Sequence, residues 1–136
     1  MIAATAALTY FRVMTREGNP KMVAIVDDDA SLRRALEGLF KAAGLQAKTF
    51  ASAEEFLDSG QQHHTGCLVT DIRMPGMSGL ELQAELDSQN CKIPIIFLTA
   101  HGDAEMRMQA LRAGAVEFLT KQIGRASCRE RVYVLV

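Results

Sequence analysis

Neither sign of charge dominates this 136-residue chain: 15 lysines and arginines stand against 16 aspartates and glutamates, a formal net charge of −1. That balance removes any global pull toward nucleic acid or an anionic membrane surface. Long apolar runs are missing as well, since none approaches the ~20 residues that a membrane-spanning helix needs. Cysteine is scarce, and Cys67, Cys91 and Cys128 are odd in number and scattered. Such spacing fits reduced cytosolic thiols better than a disulfide framework. The first 13 residues are moderately apolar, yet no positive charge leads them and no cleavage site is evident, so they do not read as a secretory leader. What remains is one ordinary cytoplasmic domain, with 49% hydrophobic residues and enough length to bury a core.

What the chain does have is a regular alternation of patterns. Met22–Val26 is an apolar run of strand length that ends abruptly in Asp27, Asp28 and Asp29. Leu32, Leu36, Leu39, Phe40 and Ala43 recur at helical spacing, with Gly44 where a helix-ending glycine belongs. Gln46–Phe50 reads as a short strand, and Ser52-Ala53-Glu54-Glu55 as a capping box opening a helix that carries Phe56 and Leu57. The polar stretch 59–66 reads as a loop before a third strand, Cys67–Thr70. Leu80, Leu82 and Leu86 mark a helix, Ile93–Leu98 an apolar strand, Ala104–Ala113 a helix closed by Gly114, and Ala115–Leu119 a fifth strand.

Continuous apolar strands separated by helices predict βαβ crossovers and a parallel sheet covered on both faces. Rossmann-like and flavodoxin-like orders are the two common solutions. In the flavodoxin-like order 2-1-3-4-5, ligands bind where the winding reverses, between the carboxyl ends of strands one and three. Those are the two strands that end in Asp27-Asp28 and in Asp71. The expected fold is therefore a doubly wound, five-stranded α/β sheet of flavodoxin-like order.

Acids at the tips of buried strands are costly unless a cation meets them. At an effective dielectric near 20, each pair of like charges about 4 Å apart costs roughly 4 kcal/mol. A hard divalent cation removes that cost, and Mg²⁺ suits a shallow site offering one or two carboxylates, waters and a phosphate oxygen. Asp71 heads the loop Ile72-Arg73-Met74-Pro75-Gly76-Met77-Ser78-Gly79, whose proline and glycines hold a tight excursion. Thr99 ends the fourth strand, and Lys121 follows the fifth. A hydroxyl and an ammonium at that rim complete a set suited to phosphoryl transfer, which asks mainly for positioning and charge neutralisation.

Taken in order, these pieces resemble the receiver domain of two-component response regulators. The likeness rests on Ile25-Val26-Asp27-Asp28-Asp29, on Asp71 through Gly79, on Leu98-Thr99-Ala100, and on Ala113-Gly114-Ala115 with Phe118 and Lys121. It covers roughly residues 22–121. The resemblance implies that Asp71 accepts phosphate from a histidine kinase. It implies that Asp28, Asp71 and the Arg73 backbone carbonyl ligate Mg²⁺, with Asp27 acting mainly through water. Thr99 and Phe118 would be the switch pair, and phosphorylation would promote pairing of two copies. The stretch Thr99-Ala100-His101-Gly102-Asp103 is similar to regulators whose output domain is a DNA-binding helix-turn-helix, so DNA would be reached only through such a domain and no membrane is involved.

Plainer readings stand beside these. Asp29, next to Ala30-Ser31, reads best as a helix cap. Phe118 is a core aromatic by default, Lys121 alone is an ordinary solvated charge, and His63-His64 near Cys67 match no usual zinc spacing. Met74 and Met77 are expected to pack locally. After Lys121 the family pattern has a proline in a cis peptide and then a fifth helix, whereas this chain has Gln122-Ile123-Gly124. A cis bond before a non-proline costs about 3 kcal/mol, so trans is expected. The tail lacks a helical period, and Val132–Val136 is β-prone. The expected organisation is an extension over 1–21, a receiver over 22–121, and an atypical, foreign-looking tail over 122–136, leaving the receiver truncated with its last helix missing or abnormal. Two rival functions follow: an interaction module that works without phosphorylation, and an aspartate-nucleophile phosphohydrolase. The second is disfavoured by Arg73, because such enzymes carry another aspartate two residues past the nucleophile.

Overall fold

The structure, a computed structural model, describes residues 22–99, 104–123 and 131–135. Strand β1 (Met22–Val26) leads into helix α1 (Ala30–Ala42), then β2 (Ala47–Phe50), α2 (Ala53–Asp58), a 3₁₀ turn (Gln61–His64), β3 (Thr65–Thr70), α3 (Gly79–Ser88), β4 (Ile95–Thr99), α4 (Ala104–Arg112), β5 (Glu117–Ile123) and β6 (Arg131–Leu135). The sheet order is β2-β1-β3-β4-β5-β6. Strands β1 to β5 pair in parallel, in the expected flavodoxin-like order.

The sheet has six strands rather than the expected five. β6 pairs antiparallel with β5, from Leu119 opposite Leu135 to Ile123 opposite Arg131. The β-prone tail thus takes up the hydrogen bonds that β5 would otherwise present at the sheet edge. No peptide bond among the described residues is cis, those of Lys121 and Gln122 included. Ala126, Ser127 and Cys128 lie outside the described residues, as do Ala100, His101, Gly102 and Asp103.

The two faces of β1 separate by strand alternation. Met22, Ala24 and Val26 enter one core cluster with Phe50, Phe56, Leu68, Ile72, Leu82, Leu86, Phe97 and Phe118. Val23 and Ile25 enter a second with Leu32, Leu36 and Phe40 of α1, and with Cys67, Val69, Ile96 and Leu98. Helices α2, α3 and α4 thus cover one face, and α1 is the helix that covers the other among the described residues. Burial of these side chains, each stabilising by roughly 1.5–3 kcal/mol, fixes the strand register and hence where each strand ends.

The helix ends are set by local chemistry. Asp29 caps α1, its carboxylate accepting from Ser31 N at 2.9 Å and Leu32 N at 3.3 Å, as expected of it. Gly44 follows the cap residue Ala43 at φ +83°, the left-handed conformation that ends helices. Ser52 Oγ accepts from Glu55 N at 3.1 Å. Glu55 Oε2, however, accepts from Ala51 N rather than from Ser52 N, so the expected capping box closes one residue early. A complete box opens α3 instead, with Ser78 Oγ accepting from Glu81 N and Glu81 Oε1 accepting from Ser78 N, each at 3.1 Å.

Candidate functional site

Both acid-tipped strands of the sequence end side by side. Val26 of β1 lies opposite Thr70 of β3, so the residues that follow them emerge at one edge of the sheet. There Asp27, Asp28 and Asp71 each offer a carboxylate oxygen, and the three oxygens lie within 4.8 Å of one another. It is the one group of His, Cys, Asp and Glu side chains among the described residues that converges closely enough to hold a metal ion. His63 and His64 are exposed on the 3₁₀ turn and belong to no such cluster, as their spacing implied.

Backbone hydrogen bonds hold the acids in place. Asp71 N donates to Val26 O at 3.0 Å, continuing the β1–β3 ladder one residue beyond the strands, and Asp27 N donates to Phe50 O at 3.2 Å on the other side of β1. One Asp71 carboxylate oxygen accepts from Ile72 N at 2.7 Å, which turns the carboxyl group along the loop. Asp27 Oδ1 accepts from Asp29 N at 2.9 Å. Asp27 and Asp71 are nearly buried, at 2% and 8% exposure, whereas Asp28 is exposed. Two acids in protein and one in water describe a shallow pocket open to solvent on one side.

The remaining expected residues are placed as follows. Thr99 is the last residue of β4, 1% exposed, and lies opposite Thr120 of β5. Lys121 therefore stands one residue past that pair on the β5 backbone, and its side chain lies outside the described residues. Phe118 is buried opposite Phe97 of β4, with ring centroids 6.3 Å apart and planes tilted by 47°. Residues alternate faces along a strand, so Phe97 and Thr99 share one face of β4. Arg73 is exposed two residues past Asp71. Met74 is buried in the core and Met77 packs against it, as expected of both.

Two contributors escaped the sequence reading. Arg33 of α1 donates from a guanidinium nitrogen to the Asp27 backbone carbonyl at 2.6 Å, bringing a cation to the rim of the acid pocket. Glu54 of α2 reaches the loop after Asp71, where its Oε2 accepts from Met77 N at 3.2 Å. Arg33 sits one helical turn past the Asp29 cap and was legible as a first-turn cation facing the acids. Glu54 carried no such signal, being 23 residues from its partner.

A parallel sheet wound 2-1-3-4-5, with a cluster of acids of metal-holding geometry where the winding reverses, defines a flavodoxin-like α/β domain with its candidate site at the carboxyl ends of its strands. The chain belongs to the response regulator receiver domain family, which it matches over residues 23–133. It is 48% identical over 107 residues to Nodulation protein W of Bradyrhizobium diazoefficiens, covering 79% of this chain and 47% of that protein. It is 47% identical over 107 residues to the transcriptional regulatory protein TdiR of Thauera aromatica, again covering 79% and 47%. Among solved structures, the response regulator StyR matches with a TM-score of 0.70 at 46% identity, covering 79% of this chain and 55% of that one. FixJ-N matches with a TM-score of 0.68 at 40% identity, covering 78% and 85%.

The chain spans about half the length of the curated relatives it matches. TdiR is named as a transcriptional regulatory protein and StyR as a response regulator. Receiver domains of this family act in phosphorelay signalling, and phosphorylation regulates their output. No helix among the described residues is long and apolar enough to cross a membrane.

Proposed function

We propose that this chain is a phosphoacceptor switch in which Asp71 takes a phosphoryl group from a histidine kinase. The convergence of Asp27, Asp28 and Asp71 within 4.8 Å carries the reading. In the transfer, an Asp71 carboxylate oxygen forms the new bond to phosphorus while the bond to the donor imidazole nitrogen breaks, and the imidazole departs. Water later cleaves the acyl phosphate, so the chain takes part chemically without turning over an outside substrate.

A donor set of hard carboxylate oxygens, two nearly buried and one exposed, fits Mg²⁺. Asp28 and Asp71 with the Arg73 carbonyl would hold the ion directly, and Asp27 would hold it through water. When bound, Mg²⁺ supplies charge neutralisation for the phosphoryl oxygens. Thr99 donates its hydroxyl to a phosphoryl oxygen, and Lys121 brings an ammonium to the same rim. Thr99 and Phe118 form the switch pair, whose rearrangement alters the surface near α4 and β5. Two phosphorylated copies pair through that surface. DNA is reached only through an output domain, and the setting is cytoplasmic, without membrane contact. The receiver unit runs from residue 22 to 121, with 1–21 as an extension and 122–136 as an atypical tail.

The test is uptake of phosphate from acetyl phosphate in the presence of Mg²⁺, read by intact-mass measurement. Wild type is expected to gain one phosphoryl group that is labile in acid, in base and to hydroxylamine, as an acyl phosphate is, and Asp71→Asn none. Incorporation that survives in Asp71→Asn overturns the assignment.

A further inference from the structure

The loop between β3 and α3 carries Asp71 at its head, and most of its length is fastened by its own residues. Gly79 N donates to Ile72 O at 2.8 Å, closing the loop at its base. Met74 is buried in the core, and the Ser78–Glu81 box seats the end of the loop on α3. The crest at Pro75-Gly76-Met77 is held from outside, by Glu54.

Glu54 Oε2 accepts from Met77 N at 3.2 Å across 23 residues of chain. The same carboxylate lies directly over Gly76. A Cβ on that residue would collide with Glu54 Oε2 and come within 3.3 Å of its Cδ. Gly76 also adopts φ +78°, so it exposes bare backbone to the carboxylate in a conformation that side chains rarely tolerate. The anchor beneath Glu54 is itself fixed. Glu55 and Ser52 cap the start of α2 directly after Phe50 closes β2, and Phe56 packs edge-on against Phe50 with centroids 5.2 Å apart. A stiff helix start therefore holds the loop crest through one charged acceptor.

We infer that Glu54 is a positioning residue for the acid pocket. It tethers the 72–78 loop so that Asp71 and the Arg73 backbone are presented to the cation in one arrangement. The inference rests on the reading of Asp71 as the phosphoacceptor. Glu54 is exposed and its bond is exposed, so the tether adds little to global stability. Its effect belongs to the pocket. A charge-assisted bond to a backbone N–H is directional. Groups that hydrogen-bond a metal ligand directly typically alter metal affinity by about 10–100-fold, and Glu54 acts one step further out, through Met77. The exposed setting places the expected loss at the lower end of that range.

The experiment compares the 136-residue chain with Glu54→Ala and Glu54→Gln, using Asp71→Asn as the control for the site. Three quantities are read: the urea midpoint, Mg²⁺-dependent binding of beryllofluoride, and the exchange rate of the Met77 amide proton. Glu54→Ala is expected to keep the urea midpoint of wild type, to bind beryllofluoride about tenfold more weakly, and to exchange Met77 faster. Glu54→Gln, which keeps an acceptor oxygen at the same reach, is expected to recover most of the binding. Wild-type binding and Met77 exchange in Glu54→Ala would overturn the tether while leaving the site reading intact. A wild-type chain that binds no beryllofluoride would instead overturn the site reading, and with it the role of Glu54, even where Met77 exchange responds.

Discussion

Gly79 lies so close over Asp71 that a Cβ added to it would collide with the Asp71 carbonyl oxygen and stand 3.0 Å from the Asp71 carbonyl carbon and from the Ile72 Cα. All three atoms are backbone, held by the ladder bond from Asp71 N to Val26 O and by the Thr70 hydroxyl, which donates to Asp71 O at 3.0 Å. The first turn of α3 thus rests directly on the proposed phosphoacceptor.

That contact sets two effects of Gly79→Ala against each other. Alanine in a helix gains roughly 0.5–1 kcal/mol over glycine. Overpacking against fixed backbone costs typically about 1–3 kcal/mol. The collision is expected to win, giving a net loss of about 1–2 kcal/mol in urea unfolding together with weaker beryllofluoride binding, because the clash is relieved by moving Asp71. A stabilised variant with wild-type binding would show that the helix start moves freely over the loop.

Phe118 can be tested separately from any switching role. The ring is 2% exposed and packs opposite Phe97. Phe118→Ala should therefore cost about 3–5 kcal/mol in urea unfolding without any phosphodonor present. A loss well under 1 kcal/mol would mean that the ring spends much of its time outside the core.

Cysteine chemistry gives a prediction with a defined pH window. Cys67 lies in the middle of the sheet, wholly buried, and burial pushes its thiol up from 9.0 to about 12. The neutral thiol is the form the fold favours, so its contribution is complete below about pH 9 and is lost as pH climbs toward 12. The stability difference between wild type and Cys67→Ala should stay flat up to about pH 9 and shift against wild type above it. In the native chain at pH 8, a maleimide should label half-buried Cys91 and leave Cys67 untouched until the chain unfolds. Peptide mapping reads both sites at once, and equal labelling rates would contradict the burial of Cys67.

How much of this was legible beforehand depends on whether the signal was local. β1 was read to the residue because an apolar run meets three acids at its end, and Asp29 was read as a cap from its immediate neighbours. β3 begins at Thr65 rather than Cys67, because Thr65 pairs with Met22 and satisfies its hydroxyl on Gln61 O at 2.7 Å, which hides a polar residue inside the sheet. The stretch 59–66 likewise read as loop, although it contains a 3₁₀ turn over Gln61–His64. β5 was expected to stop at Leu119 but runs on through Thr120, Lys121 and Gln122, where pairing with β6 outweighs a polar sequence. The Ser78–Glu81 box is legible from its three-residue spacing alone. The Glu54 contact was invisible in principle, since nothing in the sequence of α2 encodes a partner 23 residues away. The acid cluster itself was legible because topology alone brings the ends of strands one and three together.

Magnesium should act on the folded chain as a ligand acts on any native state. An ion that binds the assembled pocket and not the unfolded chain stabilises by RT ln(1 + [L]/Kd), about 2.7 kcal/mol when the ion is at 100 times its Kd. Asp27 and Asp71 are nearly buried, so replacing either one disturbs packing as well as ligation. Asp28 is exposed, which makes Asp28→Asn the cleaner probe. With that variant, the urea midpoint without Mg²⁺ should stay close to wild type, while the rise in midpoint on adding Mg²⁺ should largely disappear. Calcium at the same concentration should stabilise wild type less, because a shallow site with few carboxylates cannot supply the six to eight oxygens that the larger ion takes. An Asp28→Asn chain that gains as much from Mg²⁺ as wild type would remove Asp28 from the ligand set and leave the ion bound elsewhere.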